Sequence, residues 1–147
     1  MIIEETFVIN APLETVWDFF FDLDRMSACI PGAELKQIDA THYEGAIKVK
    51  VGPLSAQFGG AATITQQEKP NRIEATINAK DRLTSSLTEG RFSSELTALS
   101  DQQTQVSYAI DVIIRGKLGQ MAQPVVKGTA QKISAQFLKC AKAQLEA

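Results

Sequence analysis

A catalytic site needs reactive groups held together, and this sequence offers few. His42 is the only histidine. It follows Ala40-Thr41 in a stretch that reads as a β-turn, where a solvated imidazole is expected. No C-x-x-C, H-E-x-x-H, G-x-x-x-x-G-K-[ST] or G-x-S-x-G arrangement occurs. Cys29 and Cys140 stand far apart, match no metal-ligand spacing and predict no disulfide framework. Cys29 has no basic or histidine neighbour to activate its thiol, so it reads as a small buried hydrophobe. Asp18, Asp22 and Asp24 are spaced as a helix surface and a helix start. Glu89, Arg91 and Glu95 share one face of a strand and read as cross-strand charge pairs. Gly59-Gly60 lies inside a strand pattern, which marks a bulge or a close backbone approach rather than a phosphate cradle. The inventory predicts no catalytic residue and no metal site.

The hydrophobic period shows which elements carry these groups. Ile2 to Ile9 reads as a strand. Asn10-Ala11-Pro12 starts a short helix whose one face holds Leu13, Val16, Trp17 and Phe20. Asp22 opens a second short helix that Pro31-Gly32 stops. From about residue 33 to Arg115 the period is close to two. The predicted strands are Leu35–Asp39, Tyr43–Val51, Leu54–Glu68, Arg72–Lys80, Ser85–Leu99 and Thr104–Arg115. Short turns between them imply an antiparallel meander with one buried and one wet face. A long helix over Leu118–Leu145 then covers the sheet, with Met121, Val125, Ile133, Phe137, Cys140 and Ala141 as its apolar stripe. At ~1.5 Å per residue it is roughly 40 Å long, enough to cross strands of about 33 Å. Pro124 predicts a kink, or a short turn that ends before it.

The chain has 147 residues, 44% hydrophobic and 22% charged, which suits one folded domain over residues 1–147 and excludes a disordered segment. A net charge of −2 argues against a nucleic-acid binder. The N-terminus has no basic segment followed by an apolar run, so no signal peptide is predicted. No stretch of about 18 apolar residues predicts a membrane span. The expected compartment is the reducing cytoplasm.

The informative feature is a shortage of bulk on the face predicted to be buried. With Phe58 inward, alternation also points Leu54, Ala56, Gly60, Ala62 and Ile64 inward. The next strand adds Ile73, Ala75, Ile77 and Ala79, and the one after adds Ser86, Thr88, Gly90, Phe92, Ser94 and Leu96. Either the small residues let the helix pack closely on a curved sheet, or they leave an apolar pocket with a few hydroxyls in its wall. Composition alone does not choose.

The order strand, two short helices, six strands and a long C-terminal helix resembles the helix-grip fold of the START and birch-pollen-allergen superfamily. Within it, Ala28-Cys29-Ile30-Pro31-Gly32, the run from Lys48 to Phe58, Gly116 to Met121 and Lys132 to Phe137 resemble the carbon monoxide dehydrogenase CoxG family. The resemblance covers essentially the whole chain, and Pro124 departs from it. It implies an α+β fold with seven curved antiparallel strands around the last helix. It also implies a non-catalytic accessory role beside a molybdenum hydroxylase of the carbon monoxide dehydrogenase type. Such proteins are linked to docking that enzyme at the cytoplasmic membrane and to holding a lipophilic quinone in the helix-grip cavity, with no covalent cofactor. Longer members carry an apolar, membrane-associating tail. The sequence reaches Ala147 without one, so peripheral association at most is expected.

The resemblance favours the open pocket. It is expected between the concave sheet face and the last helix, lined by Phe58, Ala75, Ile77, Phe92, Tyr108, Met121 and Val125, with Ile30 and Pro31 near its mouth. Tyr108 is expected to orient a ligand carbonyl by one hydrogen bond. Two other functions compete. One is a superfamily cyclase or hydratase acting on an aromatic or polyketide substrate, for which Tyr108, Ser86, Thr88 and Ser94 are the available polar groups. The other is a stand-alone lipid or metabolite carrier.

Overall fold

Strand alternation and turn chemistry produce one sheet. In the computed structural model, which describes residues 1–121 and 123–146, the strands are β1 (Ile2–Ile9), β2 (Ala33–Gln37), β3 (His42–Val51), β4 (Leu54–Glu68), β5 (Arg72–Asp81), β6 (Leu87–Ser100) and β7 (Gln103–Arg115). They pair antiparallel throughout, in the order β1-β7-β6-β5-β4-β3-β2. Helices α1 (Leu13–Phe21) and α2 (Leu23–Ser27) follow β1, and the Asp22 carboxylate caps α2 through the Arg25 N–H. This is the seven-stranded helix-grip architecture that the sequence predicts.

The last helix differs from expectation in its start. Lys117–Gln120 forms a separate 3-10 turn, and α3 runs from Gln123 to Leu145, 23 residues. Pro124 therefore sits in the first turn of α3, where its missing N–H breaks no helical hydrogen bond. Met121 precedes α3 instead of lying on it, and Val125 is 37% exposed, while Val126 packs against the core.

Three apolar clusters hold the layers together. Ile9, Val16, Trp17, Leu96 and Val106 join one end of the sheet to α1, with Leu138 and Leu145 of α3 against them. Phe19, Cys29 and Ala141 pack α1 on α3, and Phe137 stacks on Phe20. α1 thus buries a second face through Phe19, which a single amphipathic stripe does not predict, because the helix is clamped between sheet and α3. At the other end Val51, Ala56 and Leu118 meet, with Phe58, Met121 and Val126 alongside.

The cysteines overturn the sequence expectation. Cys29 and Cys140 are joined by a disulfide, their Cα atoms 5.3 Å apart across 111 residues of chain. The second residue after α2 and the last turns of α3 converge where α1 plugs the sheet, a proximity that linear spacing does not reveal. Unpaired cysteines therefore no longer support a reducing compartment.

The opposite end is held by Asp81, which has no exposed surface. Its carboxylate accepts the N–H groups of Gln57 (2.6 Å), Thr84 (2.8 Å) and Leu83 (3.3 Å), and the Thr84 hydroxyl. With that hydrogen committed, Ser86 donates to Thr84 Oγ1 at 2.8 Å and accepts the Leu118 N–H at 2.9 Å. The relay ties β4 and the β5–β6 turn to the 3-10 turn that launches α3. Burial pushes the Asp81 carboxyl up, and the donors from Thr84, Gln57 and Leu83 more than offset it, so it sits below the usual carboxylate range.

Both ties can be tested by unfolding. Asp81→Asn should destabilise the fold by about 2–3 kcal/mol at pH 7, because an amide turns a donor toward donors. A carboxyl with a depressed folded-state pKa stabilises above its unfolded value of about 3.9, and that contribution disappears as pH falls through the folded value. The gap between wild type and variant in urea unfolding should therefore close below about pH 4; parallel curves down to acid would exclude an ionised Asp81. Thiol titration of unreduced, unfolded protein should find no free thiol, and the paired Cys29→Ser, Cys140→Ser variant should lose about 2–4 kcal/mol.

Candidate functional site

The register fixes which residues share the helix-facing side of the sheet. Ala75 pairs with Phe92 and Phe92 with Ile110, while Ala62 pairs with Ile77, so all five face α3. None of the five is fully buried. Complete burial is concentrated at the two plugged ends, and α3 comes close to the sheet at β1 and β3, toward opposite edges. Residues in the middle of the concave face thus keep part of their surface accessible, between ends that are closed.

The predicted site residues divide into three groups. Ala75, Ile77, Phe92 and Tyr108 lie together on the concave face, and the Phe92 and Tyr108 rings stack with centroids 6.1 Å apart. Phe58 also faces inward, at the cluster of Val51, Ala56 and Leu118. Met121 and Val125 sit over the β3–β4 turn: a Cβ on Gly52 would lie 2.9 Å from Met121 Cε and 3.0 Å from Val125 Cγ1. Val126, one residue on, takes the inward position. Ile30 is half-buried and Pro31 exposed in the α2–β2 turn, closed by the Ala33 N–H to Ile30 carbonyl bond at 3.1 Å.

The small residues are not equivalent. A Cβ on Gly60 would lie 2.2 Å from the Asn78 carbonyl oxygen, so Gly60 is required by the approach of β5. Ala62, Ala75 and Ala79 carry a Cβ already and are small without that constraint.

The polar groups are more ordered than the sequence suggests. Tyr108 Oη lies 3.1 Å from Glu5 Oε2 and is also hydrogen-bonded to Ser134 of α3. Burial pushes the Tyr108 phenol up and the adjacent Glu5 carboxylate pushes the same way, against the Ser134 hydrogen bond. Glu5 is the residue that the sequence reading misses. Its signal is visible: Ile3, Phe7 and Ile9 alternate with it, so it stands on the apolar side of β1. Ser86 is committed to the Asp81 relay, and Ser94 donates to the Ser107 carbonyl at 3.1 Å. Thr88 is the one buried hydroxyl lacking a partner among the described residues.

Elsewhere the chemistry is sparse. His42 opens β3 rather than lying in the turn before it. Its exposed ring nitrogen Nδ1 is 2.8 Å from Asp39, whose carboxyl is lowered first by the Thr41 N–H and then by His42. A trough of about 630 Å³ on the outer face is lined by mixed charges, including Glu4, Glu74, Arg91 and Asp111, and is open to solvent. Among the described residues, no group of three or more His, Cys, Asp or Glu is placed to hold a metal ion, and no helix is long and apolar enough to cross a membrane.

A curved antiparallel sheet spanned by a C-terminal helix, with a partly open face between them, defines a START-like helix-grip protein. The chain belongs to the carbon monoxide dehydrogenase CoxG family, whose model matches residues 6–146. No curated protein matches it by sequence. A conserved protein from Geobacillus kaustophilus is similar in structure, with a TM-score of 0.89 and 18% identity over 99% of this chain and 95% of its own. The Zhui aromatase/cyclase from Streptomyces sp. R1128 aligns with a TM-score of 0.74 and 13% identity, covering 99% and 93%. A START superfamily protein from Mycobacterium smegmatis gives 0.70 and 13%, covering 99% and 97%. At these identities the likenesses speak to fold.

Proposed function

We propose that the chain is a non-catalytic accessory protein of a molybdenum carbon monoxide dehydrogenase-type enzyme, holding a lipophilic ligand such as a quinone between the concave sheet face and α3. The observation that carries this reading is the incomplete burial of Ala62, Ala75, Ile77 and Phe92 on that face, between two closely packed ends. Family membership suggests the dehydrogenase partner. An apolar tail leaving water contributes roughly 25 cal/mol per Å² before association costs, so such a ligand needs no charged contact. A cyclase acting through Glu5 and Tyr108 is the competing reading, favoured by the aromatase/cyclase likeness. Turnover of a polyketide substrate, abolished by Tyr108→Phe, would decide for it.

Charge distribution supports peripheral membrane association at the end where the β3–β4 turn, the β5–β6 turn and the 3-10 turn meet. Residues 48–57, 79–88 and 113–128 contain Lys48, Lys50, Lys80, Arg82, Arg115, Lys117 and Lys127, of which Arg115 pairs with Glu89, and their one acid, Asp81, is buried. Leu83 and Leu87 are 55% and 48% exposed among these cations. A basic rim around exposed leucines suits an anionic lipid surface in a chain of negative net charge.

Two measurements test these readings. Ala75→Phe should abolish calorimetric binding of a short-chain quinone while the protein stays folded; unchanged affinity would remove the pocket from this face. Co-sedimentation with phosphatidylglycerol vesicles, absent with phosphatidylcholine, should be lost in Lys80→Glu, Arg82→Glu. Binding indifferent to lipid charge would overturn the docking surface.

A further inference from the structure

We infer that the site under α3 selects ligands whose headgroup donates a hydrogen bond, a phenol or quinol hydroxyl, over counterparts that offer only carbonyls. This rests on the lipophilic-ligand reading above and specifies the headgroup chemistry.

The hydrogens around the Tyr108 phenol can be counted. Glu5 on β1 stands opposite Tyr108 on β7, and Ser134 reaches the same phenol from α3. The carboxylate is acceptor-only, so its 3.1 Å bond to Tyr108 uses the phenol hydrogen. The Ser134 hydroxyl then donates to the phenol oxygen. Both hydrogens are thus committed, and neither hydroxyl keeps one for a ligand. Unused capacity is all acceptor, concentrated on Glu5, and no protein donor reaches Glu5 Oε1 among the described residues. Glu5 and Tyr108 are both only partly buried, so the group is within reach of an incoming molecule.

A quinone carbonyl must therefore take the Tyr108 hydrogen away from a carboxylate, exchanging a charge-assisted bond for a neutral one. A quinol brings its own donor to Glu5 and leaves the Tyr108 bond intact. Thr88, the unpartnered hydroxyl, does not compensate at this headgroup. It pairs with Ile114, six residues along β7 from Tyr108, roughly 20 Å away.

The test is anaerobic calorimetry of the full chain with a decyl-benzoquinone and its pre-reduced quinol. The quinol should bind about 10–100-fold tighter. Each tenfold preference for the reduced form raises the bound couple's midpoint potential by about 30 mV. Glu5→Gln, close in shape but carrying an amide donor, should erase or reverse the preference. Tyr108→Phe should keep it, since the carboxylate then has an acceptor freed. Equal affinity for both forms in the wild type overturns the inference and leaves the lipophilic-ligand reading standing; absence of binding by either form overturns that reading as well. Should Glu5→Gln fail to fold, the wild-type ratio and the Tyr108→Phe ratio still decide, because a purely structural tie predicts no dependence on the ligand's oxidation state.

Discussion

A carboxylate without exposed surface has to be surrounded by donors, and around Asp81 those donors come from three separate parts of the chain. Gln57 belongs to β4, Leu83 and Thr84 to the β5–β6 turn, and through Ser86 the relay ends on the Leu118 N–H. That last bond fixes where the chain leaves the sheet and therefore where α3 begins. The far end of α3 is fixed independently, by packing of Phe137, Leu138 and Leu145 against the α1 region and by the bond between Cys29 and Cys140. A helix of 23 residues secured near both termini need not rest on the sheet between them.

The open middle follows from that suspension as much as from small side chains. Gly60 is dictated by the β5 backbone and would be glycine even under a tightly packed helix. Ala62, Ala75 and Ala79 have no such excuse. Under the proposed reading, these three alanines are where the sheet makes room for the ligand.

The architecture is legible in the sequence because it depends on period and turn chemistry, both local. Each strand lies within a few residues of its predicted span, and Pro124 marks the break before α3. The features that sequence reading misses depend on three-dimensional convergence. The disulfide joins positions 111 residues apart. Val126, seven residues before Ile133, shares the inward face of α3, whereas Val125 stands roughly 100° further round the axis, so the predicted stripe takes the wrong one of two adjacent valines. His42 lies one step past the turn that its neighbours predict, already paired in β3. Glu5 is different: its alternation with Ile3 and Phe7 is readable, but a search for reactive clusters passes over a single acid on an apolar strand face.

Two carboxylates point to the same face of this sheet, and the contrast between them separates structure from function. Asp81 collects three backbone N–H groups and a hydroxyl, has no exposed surface, and can accept little more. Such a group is a fastening: its desolvation is offset internally and no ligand can improve it. Glu5 collects one phenol hydrogen and stays partly accessible at the border of the open space. A fastening of that kind would be poor, since a neutral side chain could join β1 to Tyr108 with less desolvation. An acid on an apolar wall is better accounted for by something that arrives later and completes its hydrogen bonding. On the proposal of a quinone or quinol under α3, that completion belongs to the ligand, and the acceptor-only character of the carboxylate sets what the ligand must bring.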